Sequence, residues 1–423
     1  MSATLAADEA IALRRRAGQQ VIAMTSGEIG LPVHPALRAR LAEAADRASY
    51  GPVAGSLALR TAAAGYWRRR GLLTDPDLVV CGPGSKPLLF ALVLAVGGDV
   101  VIPVPGWVSY AAHARLAGVR PLPVPILPGQ GGVPDPGLLR ETVTAARAAG
   151  HDPRSVVVTL PDNPTGTVAS PETVRRLCEA ARDLDLVIIS DEIYCDLVFD
   201  PATKIVSPAR FVPERTVVTT GLTKNLAVGG WRLGVARLPA GENGLALHSR
   251  LVGIASQLWS SAVAPVQEAA AYAFGEPPEI VERVAASRRL HAAVAGAMAE
   301  RFAAAGAILA PVRATCYLYP DFAPLRTHLV RAHGVHTGSE LAQFLVERHG
   351  VGVLPASAFG EPSATLRIRA ATSRLYGDTD EERDIALGAA DPTALPWIRS
   401  SLDRVEDVLG DLTGPASDRP HTA

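Results

Sequence analysis

From Leu72 onward the chain alternates short apolar, β-branched runs with turn residues and then with stretches of helical periodicity. The runs are Leu78-Val79-Val80, Val100-Val101-Ile102, Val156-Val157-Val158, Leu186-Val187-Ile188-Ile189 and Val217-Val218. Unbroken apolar strands imply burial on both faces, which a parallel sheet covered by helices supplies. Between two of the runs, Pro171 to Leu184 sets Val174, Leu177, Ala181 and Leu184 at helical spacing, with Arg175, Arg176 and Glu179 outward. The alternation predicts an α/β fold built on a mostly parallel sheet with helices on both faces. Glu9 to Gln20 reads as a polar helix. From about Glu282 the pattern changes to a long Ala-rich helix, followed by strand candidates at Cys316–Tyr319 and Thr365–Ala370, which predicts a smaller α+β domain. The expected division is an N-terminal arm with part of the small domain (1–45), a large domain (46–284), a small C-terminal domain (285–412) and a disordered tail (413–423).

Composition narrows the classes. The chain has 423 residues, a formal net charge of −1, 48% hydrophobic and 20% charged residues, ordinary values for a globular protein with ample core. A balanced charge leaves no electrostatic footprint for nucleic acid. The longest apolar run, Leu88 to Val96, is too short to span a bilayer. Met1 to Arg16 has three consecutive arginines with no apolar stretch behind them, so it is not a secretory signal. Cys81, Cys178, Cys195 and Cys316 are scattered without a CxxC pair or metal-ligand spacing, and read as free thiols of a cytoplasmic protein. One feature is unusual. Of the 41 basic residues only Lys86, Lys204 and Lys224 are lysines, and the other 38 are arginines. A lysine that survives such drift invites a reason, and a primary amine that must form a covalent bond is one that guanidinium cannot replace.

In open parallel sheets ligands sit at the carboxyl ends of the strands, so the residues after each run carry the chemistry. After the first run, Gly82-Pro83-Gly84-Ser85-Lys86 opens a helix. A glycine turn at a helix N-terminus suits a phosphate, although it is equally a plain strand–helix connection. After the second comes Pro105-Gly106-Trp107, an aromatic face or ordinary core. The third leads to Asn163-Pro164-Thr165-Gly166, a rigid turn. The fourth leads to Asp191-Glu192-Ile193-Tyr194, and the fifth to Gly221-Leu222-Thr223-Lys224, with Arg232 eight residues beyond the lysine.

In this order, Tyr50-x4-Gly55, GSK, PxW, NPTG, DEIY and TK-x7-R, the motifs resemble the fold-type I pyridoxal-phosphate enzymes, the class I/II aminotransferases, over roughly Gly27 to Ser373. The resemblance implies that 46–284 binds pyridoxal 5'-phosphate. Lys224 would hold it as an internal aldimine; the enzyme would then form an external aldimine between cofactor and α-amino acid, with Lys224, released, abstracting the α-proton. Asp191 would pair with the pyridinium nitrogen, Asn163 and Tyr194 would bond the phenolic oxygen, and Trp107 would stack on the ring. Gly84, Ser85, Lys86 and Arg232 would meet the phosphate. Tyr50 would reach the phosphate of a neighbouring subunit, making a homodimer with shared active sites, and Ser260 and Ser261 are further candidates there. Arg367 matches the arginine for the substrate carboxylate, with Asn163 and Gly27 beside it.

Three departures bear on the substrate. Gly221 stands where the family commonly has a serine, Arg369 where a small residue is usual, and Trp259 among small polar positions. Alternate strand residues share a face, so Arg367 and Arg369 are both able to look into the cleft. The expected activity is transamination. Elimination, replacement or ring formation on a modified amino acid such as S-adenosylmethionine starts with the same deprotonation, and an aminotransferase-like regulator would need a DNA-binding module that the sequence does not suggest.

Overall fold

The computed structural model describes residues 3–414. Seven strands form its main sheet: β1 (Val79–Gly82), β2 (Asp99–Val104), β3 (Pro121–Pro125), β4 (Pro153–Thr159), β5 (Val187–Asp191), β6 (Thr216–Gly221) and β7 (Gly234–Arg237). Their spatial order is β1-β7-β6-β5-β4-β2-β3. The pairs β2–β3, β2–β4, β4–β5 and β5–β6 are parallel, while β7 runs antiparallel to β1 and β6. The expected α/β architecture is therefore present. Five strands coincide with the apolar runs. β3 escapes that pattern because it reads Pro-Leu-Pro-Val-Pro, a sequence tolerated only where one side needs no ladder, and it lies at the sheet edge.

Period-2 alternation divides the core. Val156 and Val158 pack with Leu177 and Ala181 on one face, whereas Val157 joins Val80, Leu92 and Ile189 on the other. Each buried Val, Leu or Ile side chain among these contributes about 1.5–3 kcal/mol relative to exposure. The helices used below are α1 (Ala3–Arg16), α2 (Ser85–Val96), α3 (Ser109–Leu116), α4 (Pro171–Asp183) and α5 (Pro278–Ala304). α2 is apolar on most of its surface because it is covered on several sides, and α4 starts at Ser170, whose side chain accepts from the Thr173 amide. α1 ends before Gly18, somewhat earlier than the polar pattern suggested.

A second core gathers Leu290, Val294, Met298 and Phe302 of α5 against a three-stranded antiparallel sheet, β9-β10-β8, formed by β8 (Tyr317–Leu318), β9 (Leu354–Pro355) and β10 (Ile368–Ala371). α5 begins at Pro278, so it runs across the boundary expected at 284; proline at the first helical position fixes the start. Of the expected tail, Thr413 closes the last helix, and 415–423 lie outside the described residues. The four cysteines are unpaired, three of them buried. Among the described residues no helix is long and apolar enough to cross a membrane.

Candidate active site

The carboxyl ends of β2, β4, β5 and β6 converge on one cleft of about 430 Å³, bounded by α2, α3 and the β8–β10 sheet. Asp191, the last residue of β5, sits between Thr159 of β4 and Thr219 of β6 in the strand register. Its Oδ2 accepts from the Tyr110 hydroxyl at 2.9 Å and its Oδ1 from Thr219 Oγ1 at 3.4 Å. Burial raises the carboxyl to about 6, and these hydrogen bonds, with Tyr110 foremost, hold it from going higher. The result is a buried acid available to a cationic ligand.

Lys224 follows β6. Its Nζ donates to the Gly27 carbonyl at 2.6 Å and lies 5.8 Å from the centre of the Tyr194 ring. Burial lowers the ammonium to about 8, and the Arg369 guanidinium adds to the lowering. An amine in that range is neutral in useful amount near physiological pH, as a nucleophile requires. The Tyr194 hydroxyl pairs with that of Tyr317 at 2.7 Å. Gly27 belongs here for a steric reason: a Cβ at that position would overlap the Tyr317 hydroxyl.

At the opposite wall Gly84 turns into α2 with φ +100°, and a Cβ there would collide with the Arg232 guanidinium. Gly234 permits an equally close approach, since its Cβ would stand 2.5 Å from the Ser85 amide nitrogen. These two glycines bring a helix N-terminus, Arg232 and Lys86 together. Burial and the neighbouring Arg232 lower the Lys86 ammonium, and its Nζ lies 5.3 Å from the Trp107 ring centre. Trp107 lines the cleft and stands edge-on to Tyr110 at 5.3 Å. Gly221 also has a structural reason. A side chain there would press on the Leu233 carbonyl, 2.9 Å from a built Cβ, so the serine usual in the family has no room.

The structure corrects one assignment. Arg369, 2% exposed, enters the cleft, where Nη1 donates to Asn163 Oδ1 at 3.1 Å and Nη2 to the Thr25 carbonyl; its guanidinium lies 4.8 Å from the Tyr317 ring centre. Arg367 faces a separate cavity, clamped by Asp321 at 2.8 Å and Glu361 at 2.9 Å. The two arginines do share a strand face, but two residues along a strand are roughly 7 Å apart, and only the later one meets the cleft. Tyr50 is 90% exposed and stands away from this cleft, as do Ser260 and Ser261. Sequence reasoning missed Tyr110, three residues after Trp107, and Tyr317, inside a strand candidate; Asp8 of α1 also lines the cleft.

Residues 19–376 match the family model for aminotransferases of class I and II, and the chain belongs to that family. The aspartate/prephenate aminotransferase of Thermus thermophilus is 37% identical over 241 residues, a match spanning 56% of this chain and 60% of that protein. The aspartate aminotransferase of Geobacillus stearothermophilus is 30% identical over 90% of this chain and 95% of its own. Among solved structures, aspartate aminotransferase from Thermus thermophilus with maleate superposes with a TM-score of 0.80 at 28% identity, covering 96% of this chain and 97% of that one. N-succinyldiaminopimelate aminotransferase from Mycobacterium tuberculosis gives 0.78 at 27%, covering 96% and 97%.

The cleft residues fit the family's cofactor, pyridoxal 5'-phosphate. A buried acid, a lysine near neutrality, an aromatic face, and a glycine-opened helix N-terminus with two cations are its chemical complements.

Proposed function

We propose that the protein is a pyridoxal-phosphate-dependent aminotransferase that moves an amino group between an α-amino acid and a 2-oxo acid. The observation that carries this reading is the cleft shared by Lys224, Asp191 and Arg369, each with a distinct chemical task. Asp191 would pair with the ring nitrogen, and Asn163 and Tyr194 would bond the phenolic oxygen. Trp107 would cover a ring face, and Gly84, Ser85, Lys86 and Arg232 would hold the phosphate. Bound in this way, the cofactor supplies an electron sink for the charge left on the substrate α-carbon.

The chain's own residues supply the rest. Arg369, with Asn163 beside it, takes the substrate α-carboxylate in the bidentate manner open to guanidinium. Lys224 Nζ, whose free amine is favoured by burial, takes the proton from the α-carbon and would pass it to the cofactor's C4′, and in the second half of the reaction would carry a proton in the opposite direction. Tyr110 keeps Asp191 anionic. The Tyr194–Tyr317 pair fixes the phenol that faces the lysine. Tyr50, exposed and remote from its own cleft, suits contact with the phosphate site of a second copy, which supports a homodimer with shared sites.

The test is single-turnover chemistry on the holoenzyme. An amino acid should convert the bound cofactor to its pyridoxamine form, and a 2-oxo acid should reverse the change. Release of ammonia without that conversion would instead place the enzyme among the eliminations, and loss of a side-chain leaving group with neither ammonia nor conversion among the replacement or ring-forming reactions.

A further inference from the structure

Six formally charged side chains line the cleft: Asp8, Glu28, Lys86, Asp191, Lys224 and Arg369. On the aminotransferase reading, four have tasks. Lys224 and Asp191 serve the cofactor, Lys86 its phosphate, and Arg369 the α-carboxylate of the substrate. Glu28 is ion-paired with Arg374 at 2.6 Å, so that pair is neutral and its arginine is engaged. Asp8 is left over. Arg232, beside Gly84 and Lys86, is a further cation and is committed to the phosphate end on this reading.

Asp8 is held in place rather than merely nearby. It lies on α1 three residues before Ile11, hence on the same helix face. Ile11 is buried, and it sits so close to Gly352 that a Cβ there would come within 2.6 Å of its Cδ1. That contact docks α1 over the β8–β10 part of the molecule. Thr25 then links Asp8 to the carboxylate site: its hydroxyl donates to Asp8 Oδ1 at 2.6 Å while its carbonyl accepts from Arg369 Nη2. A single residue therefore stands between the group that would hold the α-carboxylate and an acid that lines the same cavity.

We propose that Asp8 is a specificity-determining residue, and that the preferred amino donor carries a cationic or hydrogen-bond-donating side chain and no second carboxylate. The inference rests on the aminotransferase reading above. A donor anchored by its α-carboxylate on Arg369 directs its side chain into a space whose only uncommitted charge is negative. An ammonium, guanidinium or amide there gains a charge-assisted hydrogen bond from the Asp8 carboxylate. The second carboxylate of aspartate or glutamate meets a like charge in a confined site, which penalises it.

The experiment is a stopped-flow comparison on the holoenzyme. It reads conversion of the bound cofactor by L-lysine, L-arginine and L-glutamine against L-aspartate and L-glutamate, with L-alanine as the neutral reference. Conversion efficiency for the best cationic or amide donor should exceed that for either dicarboxylate by about tenfold or more, the scale of one hydrogen bond to a charged group. In Asp8→Asn the ratio of L-arginine or L-lysine to L-alanine should fall by about tenfold. Faster conversion by aspartate or glutamate overturns the proposal while leaving transamination intact. An unchanged ratio in Asp8→Asn overturns the role of Asp8. If none of the amino acids converts the cofactor, the aminotransferase reading fails and the proposal falls with it.

Discussion

Arg369 donates a hydrogen bond to Asn163 at 3.1 Å, joining residues 206 positions apart. One comes from the small antiparallel sheet and the other from the loop after β4, so the proposed carboxylate site lies where the two cores meet. Its neighbour in sequence, Arg367, is held away by Asp321 and Glu361. The two therefore have separable effects. Arg369→Lys should raise KM for the amino acid by about 10- to 100-fold, the cost of a bidentate charge-assisted contact, with the cofactor spectrum unchanged. Arg367→Ala should lower the melting temperature, because it strands the buried Glu361 carboxylate, and should change KM by much less. Steady-state kinetics with thermal denaturation of both variants checks this.

On the proposed mechanism, Lys224→Ala removes the amine that both holds the cofactor and carries the proton. Turnover should fall by about 10³-fold or more, and the visible absorbance of the lysine-bound cofactor should vanish. The far-ultraviolet circular dichroism should stay as in the parent protein. Full turnover in this variant would refute the proposed role of the lysine.

Capture of pyridoxal phosphate by the cofactor-free protein should depend on pH through the same amine. Only its neutral form attacks, and burial lowers Lys224 from the ordinary lysine value to about 8. The capture rate should rise as pH is raised through about 8 and then level off. The growth of visible absorbance after mixing measures it. A rate still climbing toward the ordinary lysine range would show a solvated amine.

Tyr110→Phe deletes the principal hydrogen bond that keeps Asp191 anionic. The carboxyl, already raised to about 6 by burial, should move higher, so a larger fraction is protonated at neutral pH. The expected result is a kcat lowered by about tenfold, an acid limb of the pH profile displaced upward, and little change in KM. Raising the pH should recover part of the loss, which a collapsed site would not do.

The cleft residues were legible where they end a buried strand. Asp191, Asn163, Tyr194 and Lys224 each follow an apolar run, and parallel topology sends all four to one end of the sheet. Which of Arg367 and Arg369 enters the cleft was not legible. Period 2 gives Arg367 and Arg369 the same face, and what distinguishes them is the pairing of Arg369 with Leu354 and of Ala370 with Leu318. That register is set by contacts distant in sequence. Tyr110 and Thr219 converge on Asp191 for a similar reason, across neighbouring strands and a helix. Asp8 depends on how Ile11 docks α1, which no local pattern reveals. β3 was hidden by prolines acceptable only at an edge.

Gly27 carries no functional group, yet its carbonyl receives the Lys224 ammonium and its missing side chain makes room for the Tyr317 hydroxyl. A single methyl at this point is therefore a wedge between the lysine-bearing loop and the Tyr317 strand. In a saturation scan for activity, position 27 should tolerate as little as the chemically reactive residues do. An inventory of polar side chains alone would overlook it.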